Sequence, residues 1–148
     1  MTHEHHRGSF TVSTDPSRLD VEAIHAFLTT SYWAEGIPRE TVERSLRSSL
    51  CFGLYEEGRQ VGFARVITDG ATFAYLCDVY VLPERRGLGL GRWLMECVMA
   101  HPDLQGLRRF SLVTRDAHEL YRPFGFAEAQ NPGRHMEIAR PGIYKQTG

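Results

Sequence analysis

The sequence predicts a mixed α/β (α+β) domain, one sheet with both antiparallel and parallel neighbours and helices on its faces. Three observations predict it. Two turn signals, Glu56-Glu57-Gly58-Arg59 and Asp69-Gly70, join three strand-like stretches in the middle of the chain. A β-α-β unit follows, in which an apolar strand runs into an amphipathic helix and then into a further short strand. Ahead of both lie two segments whose apolar residues recur at helical spacing.

Each element has its own signal. Residues 1–8 (MTHEHHRG) are polar and His-rich, and are expected as a disordered tail ahead of a single domain spanning 9–148. His3, His5 and His6 define no ligand geometry, so no metal is expected. Ser9 to Thr14 alternates as a first strand. Asp20 is expected to cap a helix whose buried stripe is Val21, Ile24, Phe27 and Leu28. Thr29 to Gly36 reads as a loop, and Pro38 suits the first turn of a second helix with Val42 and Leu46 inside. Leu50–Tyr55, Gln60–Ile67 and Ala71–Val81 follow as strands; the last is rich in aromatic and β-branched residues and is ended by Pro83. From about Gly89 to His101, the residues Leu90, Trp93, Leu94, Cys97, Val98 and His101 share one helical face, and Pro102 stops the helix. Arg109–Val113 is a short strand. Asp116 is expected to cap a short helix ending near Tyr121, and Gly125 to close the turn after it. Phe126–Ile138 is expected as a last strand interrupted at Asn131-Pro132-Gly133.

Composition bounds the function. With 148 residues the chain fits one domain with a self-sufficient core. Its formal net charge of −1 gives no bulk attraction to nucleic acid or to a membrane, so neither is expected as a partner and any anion site must be local. Cys51, Cys77 and Cys97 sit in apolar stretches without metal-ligand spacing and are expected as reduced core thiols. No apolar run approaches the roughly 20 residues that span a bilayer. The start, MTHEHHRGSF, has no apolar signal core, so a cytoplasmic protein is expected.

The chemistry concentrates in Val81-Leu-Pro-Glu-Arg-Arg-Gly-Leu-Gly-Leu-Gly-Arg92, between a strand and a helix. Glycines at 87, 89 and 91 permit positive φ and let a ligand approach the backbone. Successive amides of such a turn, with the unpaired N–H groups of the helix start, can converge on one anion. Arg85, Arg86 and Arg92 add positive charge. A P-loop counted from Gly87 would need glycine where Arg92 stands and Lys-Ser/Thr after it, and a dinucleotide fingerprint would need glycine at 92 or 94, which are Arg92 and Leu94. What remains is a phosphate or pyrophosphate cradle of another kind.

Arg86-x-x-Gly89-x-Gly91, preceded by Val81-x-Pro83-Glu84, resembles motif A of the GCN5-related N-acetyltransferase (GNAT) superfamily. Ala117-His-Glu-Leu-Tyr121-Arg-Pro-Phe-Gly125-Phe126 resembles the family's later helix, in the right order and one strand away. The resemblance implies the GNAT fold: a central, mixed, mostly antiparallel sheet in which two parallel strands splay apart, with helices on both faces. It implies acetyl-CoA as co-substrate and no metal. By position, the amides of Arg86, Gly87, Leu88, Gly89, Leu90, Gly91 and Arg92 would surround the pyrophosphate. The main chain of Val79 to Val81 would bond pantetheine like an added strand.

The same resemblance suggests Tyr121 as general acid and Asp78 as base or substrate-orienting carboxylate, with an ion pair to a nearby arginine as the other reading of Asp78. His118 is a weaker alternative. One departure is Thr114, which stands where many family members carry an asparagine that contacts pantetheine. The loop between the first two helices usually lines the acceptor pocket in the family. Here it offers Tyr32, Trp33 and Glu35, with Phe73 and Tyr75 on the long strand as further candidates; an aromatic wall with a carboxylate suits a small amine or an amino-acid-like acceptor. The competing readings are a catalytically silent acyl-CoA-binding module and a nucleotide-binding regulator. A homodimer is left open.

Overall fold

The computed structural model describes residues 1–145. Six strands form one sheet: β1 (Glu4–Arg7), β2 (Phe10–Ser13), β3 (Leu50–Glu56), β4 (Arg59–Thr68), β5 (Phe73–Val81) and β6 (Arg109–Leu112), neighbours in that order. The first five pair antiparallel; β5 and β6 pair parallel. Four helices pack on it, α1 (Val21–Leu28), α2 (Arg39–Arg47), α3 (Leu90–Met99) and α4 (His118–Tyr121).

Local chemistry sets the turns. Glu57 (φ 48) and Gly58 (φ 87) are both left-handed, which matches the twist of a two-residue hairpin between β3 and β4. Between β4 and β5, Asp69 Oδ1 accepts from the amides of Ala71, Thr72 and Phe73, and its other oxygen accepts from the Thr72 hydroxyl. Asp20 caps α1 as expected, accepting from the Ala23 amide at 3.0 Å.

Strand alternation sends side chains to two cores. Phe52, Leu54, Val61, Ala64, Val66, Ala74 and Leu76 meet the apolar face of α3 and Tyr121 of α4. Cys51, Phe63 and Tyr80 meet Ile24 and Leu28 of α1 and Val42 of α2. Cys51 and Cys97 are buried free thiols and Cys77 is a half-buried one.

Three expectations are corrected. Residues 1–8 are not a disordered tail: Glu4–Arg7 forms β1, in register with β2 from Glu4↔Ser13 to Arg7↔Phe10. Gly8 (φ 57) supplies the turn, and Arg7 lies over the Trp93 ring at 5.1 Å. The strand is polar because it is an exposed sheet edge, where charged side chains block further pairing. Phe126–Ile138 is not a strand. Its backbone is irregular, with one 3₁₀ turn at Pro132–Arg134, and Met136 (96%) and Ile138 (82%) stand in solvent. Asp116 does not cap α4: the N-cap residue is Ala117, no side chain caps the helix, and the Thr114 hydroxyl accepts from the Ala117 amide just ahead of it at 3.0 Å.

The feature that positions the site is where β5 and β6 part. They pair only along Phe73–Leu76 and Arg109–Leu112. Beyond that β5 runs on to Val81 with no partner on this side, while Val113 turns out to 80% exposure. The chain reaches α3 from the far end of the widened gap.

Candidate active site

The free edge of β5 presents main-chain groups to the gap. The Leu82 amide crosses to the Val61 carbonyl of β4 at 2.8 Å. Alternation along a strand therefore turns the amides and carbonyls of Val81 and Val79 to the other side, into the gap. The Val81 carbonyl there accepts from Arg86 Nε at 3.0 Å.

At the end of β5 the glycine turn lies open. The Arg86 amide is taken by the Pro83 carbonyl at 3.3 Å. The following amides, Gly87 to Arg92, have no protein acceptor among the described residues; the first main-chain bond of α3 is Trp93 N–H to the Gly89 carbonyl. Gly87 (φ +83) and Gly89 (φ +75) need the left-handed conformation, and a Cβ on either would meet nothing within 4 Å. This is a row of donors at a helix start, beside empty space, with no side-chain cap. Of the three arginines, Arg85 is committed to Glu56 at 2.6 Å, and Arg92 stays exposed with Glu96 3.7 Å away. Arg86 bridges turn and gap.

Tyr121 comes from α4, across from the free edge of β5. Its ring is buried against Phe126 (6.1 Å between centroids), yet its hydroxyl makes no protein hydrogen bond among the described residues. Burial, with a smaller contribution from Tyr32 nearby, pushes the phenol up to about 12. The phenol therefore keeps its proton at neutral pH.

Asp78 sits at an irregularity in the β4–β5 ladder, in a left-handed conformation (φ 53). Such bulges re-aim a side chain. Asp78 Oδ2 accepts from Arg65 Nε at 2.8 Å and Oδ1 from Trp33 Nε1 at 2.8 Å. The ion pair named as the other reading of Asp78 is present: both oxygens are engaged, one by the Arg65 guanidinium and one by the Trp33 indole. Trp33 (41%) and Tyr32 (50%) are half exposed and pack edge-to-face at 5.1 Å. Tyr32 in turn takes the Arg115 amide on its hydroxyl at 3.3 Å and the Arg115 guanidinium over its ring at 3.8 Å. The α1–α2 loop therefore spans the gap, tied to β5 through Trp33 and to the segment after β6 through Tyr32. A cavity of about 330 Å³ lies between Tyr32–Glu35 of this loop and residues 140–145.

A family model, the acetyltransferase (GNAT) domain, matches residues 47–128. This chain belongs to the GNAT acetyltransferase family. It is 44% identical over 138 residues to FG08082 of Gibberella zeae, described as a candidate acetyltransferase, with 78% of this chain and 77% of that one covered. It is 33% identical over 140 residues to chloroplastic serotonin N-acetyltransferase 2 of Oryza sativa subsp. japonica, covering 88% of this chain and 68% of that one. A crystal structure of a GNAT-family protein from Xanthomonas campestris pv. campestris superimposes with a TM-score of 0.90 at 54% identity, over 97% of this chain and 98% of that one. The protein is accordingly an acyl-CoA-dependent N-acetyltransferase.

In this acetyltransferase the sequence-derived residues fall into two groups. Val79, Val81, the turn 86–92 and Tyr121 border the gap, and Tyr32 and Trp33 bridge its mouth. Phe73 does not join them: it lies at the start of β5, paired with Arg109, five residues before Asp78 and so roughly 15 Å along the strand. His118 is an exposed first residue of α4. Sequence reasoning missed Arg65, Ser49 and Arg115. Arg65 carried a signal, a lone cation inside the apolar run Val61–Ile67, which demands a partner.

Proposed function

We propose that this acetyltransferase moves the acetyl group of acetyl-CoA to the primary amine of a small, aromatic or amino-acid-like acceptor. The observation that carries the reading is the run of amides from Gly87 to Arg92, unpaired among the described residues, at the end of the β5–β6 gap. These donors fit a diphosphate, and the Val79 and Val81 main chain fits an amide-bearing arm laid along β5. Acetyl-CoA, when bound, supplies the activated acetyl thioester.

The chain's own residues then supply orientation and a proton. The amine is delivered at the mouth of the gap by the Tyr32–Trp33 pair. It loses its ammonium proton to water there before attack, and the nitrogen loses a second proton to water as the amide forms, since Asp78 is held in its ion pair. As the new C–N bond forms and the C–S bond breaks, the Tyr121 hydroxyl donates its proton to the departing sulfur and recovers one from solvent. A hydroxyl with no competing protein partner suits that role. The half-exposed aromatic pair favours an aromatic acceptor, and the likeness to a serotonin N-acetyltransferase points to the same class.

Calorimetry with acetyl-CoA, followed by thiol release over a panel of arylalkylamines, aromatic amino acids and aliphatic diamines, tests this. Binding with turnover on the aromatic amines is the expected result. Binding without turnover on any amine would favour the silent acyl-CoA-binding module.

A further inference from the structure

A part-buried strut runs behind the acceptor loop from the α2–β3 connection across β4 to β5. Ser49 donates to the Ser45 carbonyl at the end of α2 at 2.7 Å, and its hydroxyl oxygen accepts from Arg65 Nη1 at 3.0 Å. Arg65 Nε reaches Asp78 Oδ2 at 2.8 Å, and Asp78 Oδ1 accepts from the Trp33 indole at 2.8 Å. The side chains of Arg65 and Asp78 are 16% and 10% exposed, whereas Trp33 at the far end is half exposed.

We infer that Arg65 is a positioning residue for the acceptor: through Asp78 it fixes the orientation of Trp33 at the mouth of the gap. Three features favour this over packing alone. Desolvating an ion pair gives little net stability, so a buried pair is weakly explained by stability. Asp78 spends its second oxygen on a half-exposed ring, not on the backbone. Its left-handed backbone is the conformation that aims the carboxylate at both partners at once. Trp33 has no other hydrogen bond among the described residues; its remaining aromatic neighbours are Phe27 at 6.3 Å and Tyr32. The indole N–H is thus its one directional restraint.

The inference rests on the acetyl-transfer reading for its kinetic readout. Arg65→Met should raise the acceptor KM about tenfold, the worth of one charge-assisted hydrogen bond, with kcat and acetyl-CoA affinity changed far less. Arg65→Lys should recover part of the loss. Trp33→Phe should shift KM similarly, and the double variant Arg65→Met/Trp33→Phe should add nothing further. Where Arg65→Met folds poorly, Arg65→Met/Asp78→Asn removes both buried charges and serves in its place. Additive effects, or an Asp78→Asn enzyme whose kcat collapses with loss of the acid limb of its pH profile, would overturn the inference and return Asp78 to the role of base. If the wild-type protein acetylates no amine, the transfer reading fails on its own. The strut is then read from the Trp33 indole N–H resonance, which should shift and lose exchange protection in Arg65→Met; an unmoved signal sinks it.

Discussion

Gly89→Asp separates holding the fold from holding the diphosphate. Gly89 is left-handed (φ +75) with open space where a Cβ would go, so the new side chain meets no atom of the protein. The conformational cost for an ordinary residue is about 1–2 kcal/mol, less for aspartate, which is tolerated there. The carboxylate would stand at the helix start, where the amides of Gly87 to Arg92 have no acceptor among the described residues, and would compete for the same donors. Two unit charges about 4 Å apart interact by about 4 kcal/mol at a protein surface. Salt screening at an open turn reduces this to about 2–3 kcal/mol, equivalent to roughly 30- to 150-fold in Kd. Calorimetry with acetyl-CoA reads the loss, and S-acetylpantetheine, which lacks the diphosphate, is the control. The variant should keep its KM for that truncated thioester. An acetyl-CoA affinity within about threefold of wild type, or an equal loss on both thioesters, would show that the turn does not hold the diphosphate.

Three other outcomes follow from single side chains. Tyr121→Phe should lower kcat by about 10²–10⁴-fold while acetyl-CoA binding and thermal midpoint stay put, because the hydroxyl supports nothing in the fold; an unchanged rate reassigns Tyr121 to packing. Tyr55 carries a buried hydroxyl without a partner among the described residues, lodged against Gly53, so Tyr55→Phe should be neutral or stabilising by about 1 kcal/mol in urea unfolding, and a clear loss would reveal a partner in solution. Burial, followed by the neighbouring His3, lowers the pKa of His101 from its ordinary 6.5. The unfolded chain then binds the proton first, so this stability is complete above pH 6.5 and is lost as pH falls toward the lower folded value. His101→Asn, which keeps an acceptor for the Asp103 amide, should shrink the drop in urea midpoint between pH 7.5 and 5.5; an undiminished drop refutes it.

What could be read from the sequence was what is local. The turn is contiguous, so Gly87, Gly89 and Gly91 between a strand and a helix announce it and the open space beside it. The placement of Tyr121 on α4 was legible for the same reason, through its spacing from Ala117 and Gly125. The acceptor side was only half legible, because it is assembled across strands. Trp33 meets Asp78 over 45 positions, and Asp78 meets Arg65 through a left-handed residue in an irregular ladder. No periodicity registers such a residue, and the face it serves cannot be assigned until the irregularity is placed. Phe73 failed differently. It has the right chemistry and strand, but the rise of an extended chain carries it away from the site, so residue type without register overstated the aromatic wall. Arg65 points to the remedy. A cation within an apolar strand has to be neutralised by a neighbour, and Asp78 is the only acid in the adjacent β5. Asking which buried charge needs which partner would have paired the two residues from the sequence alone.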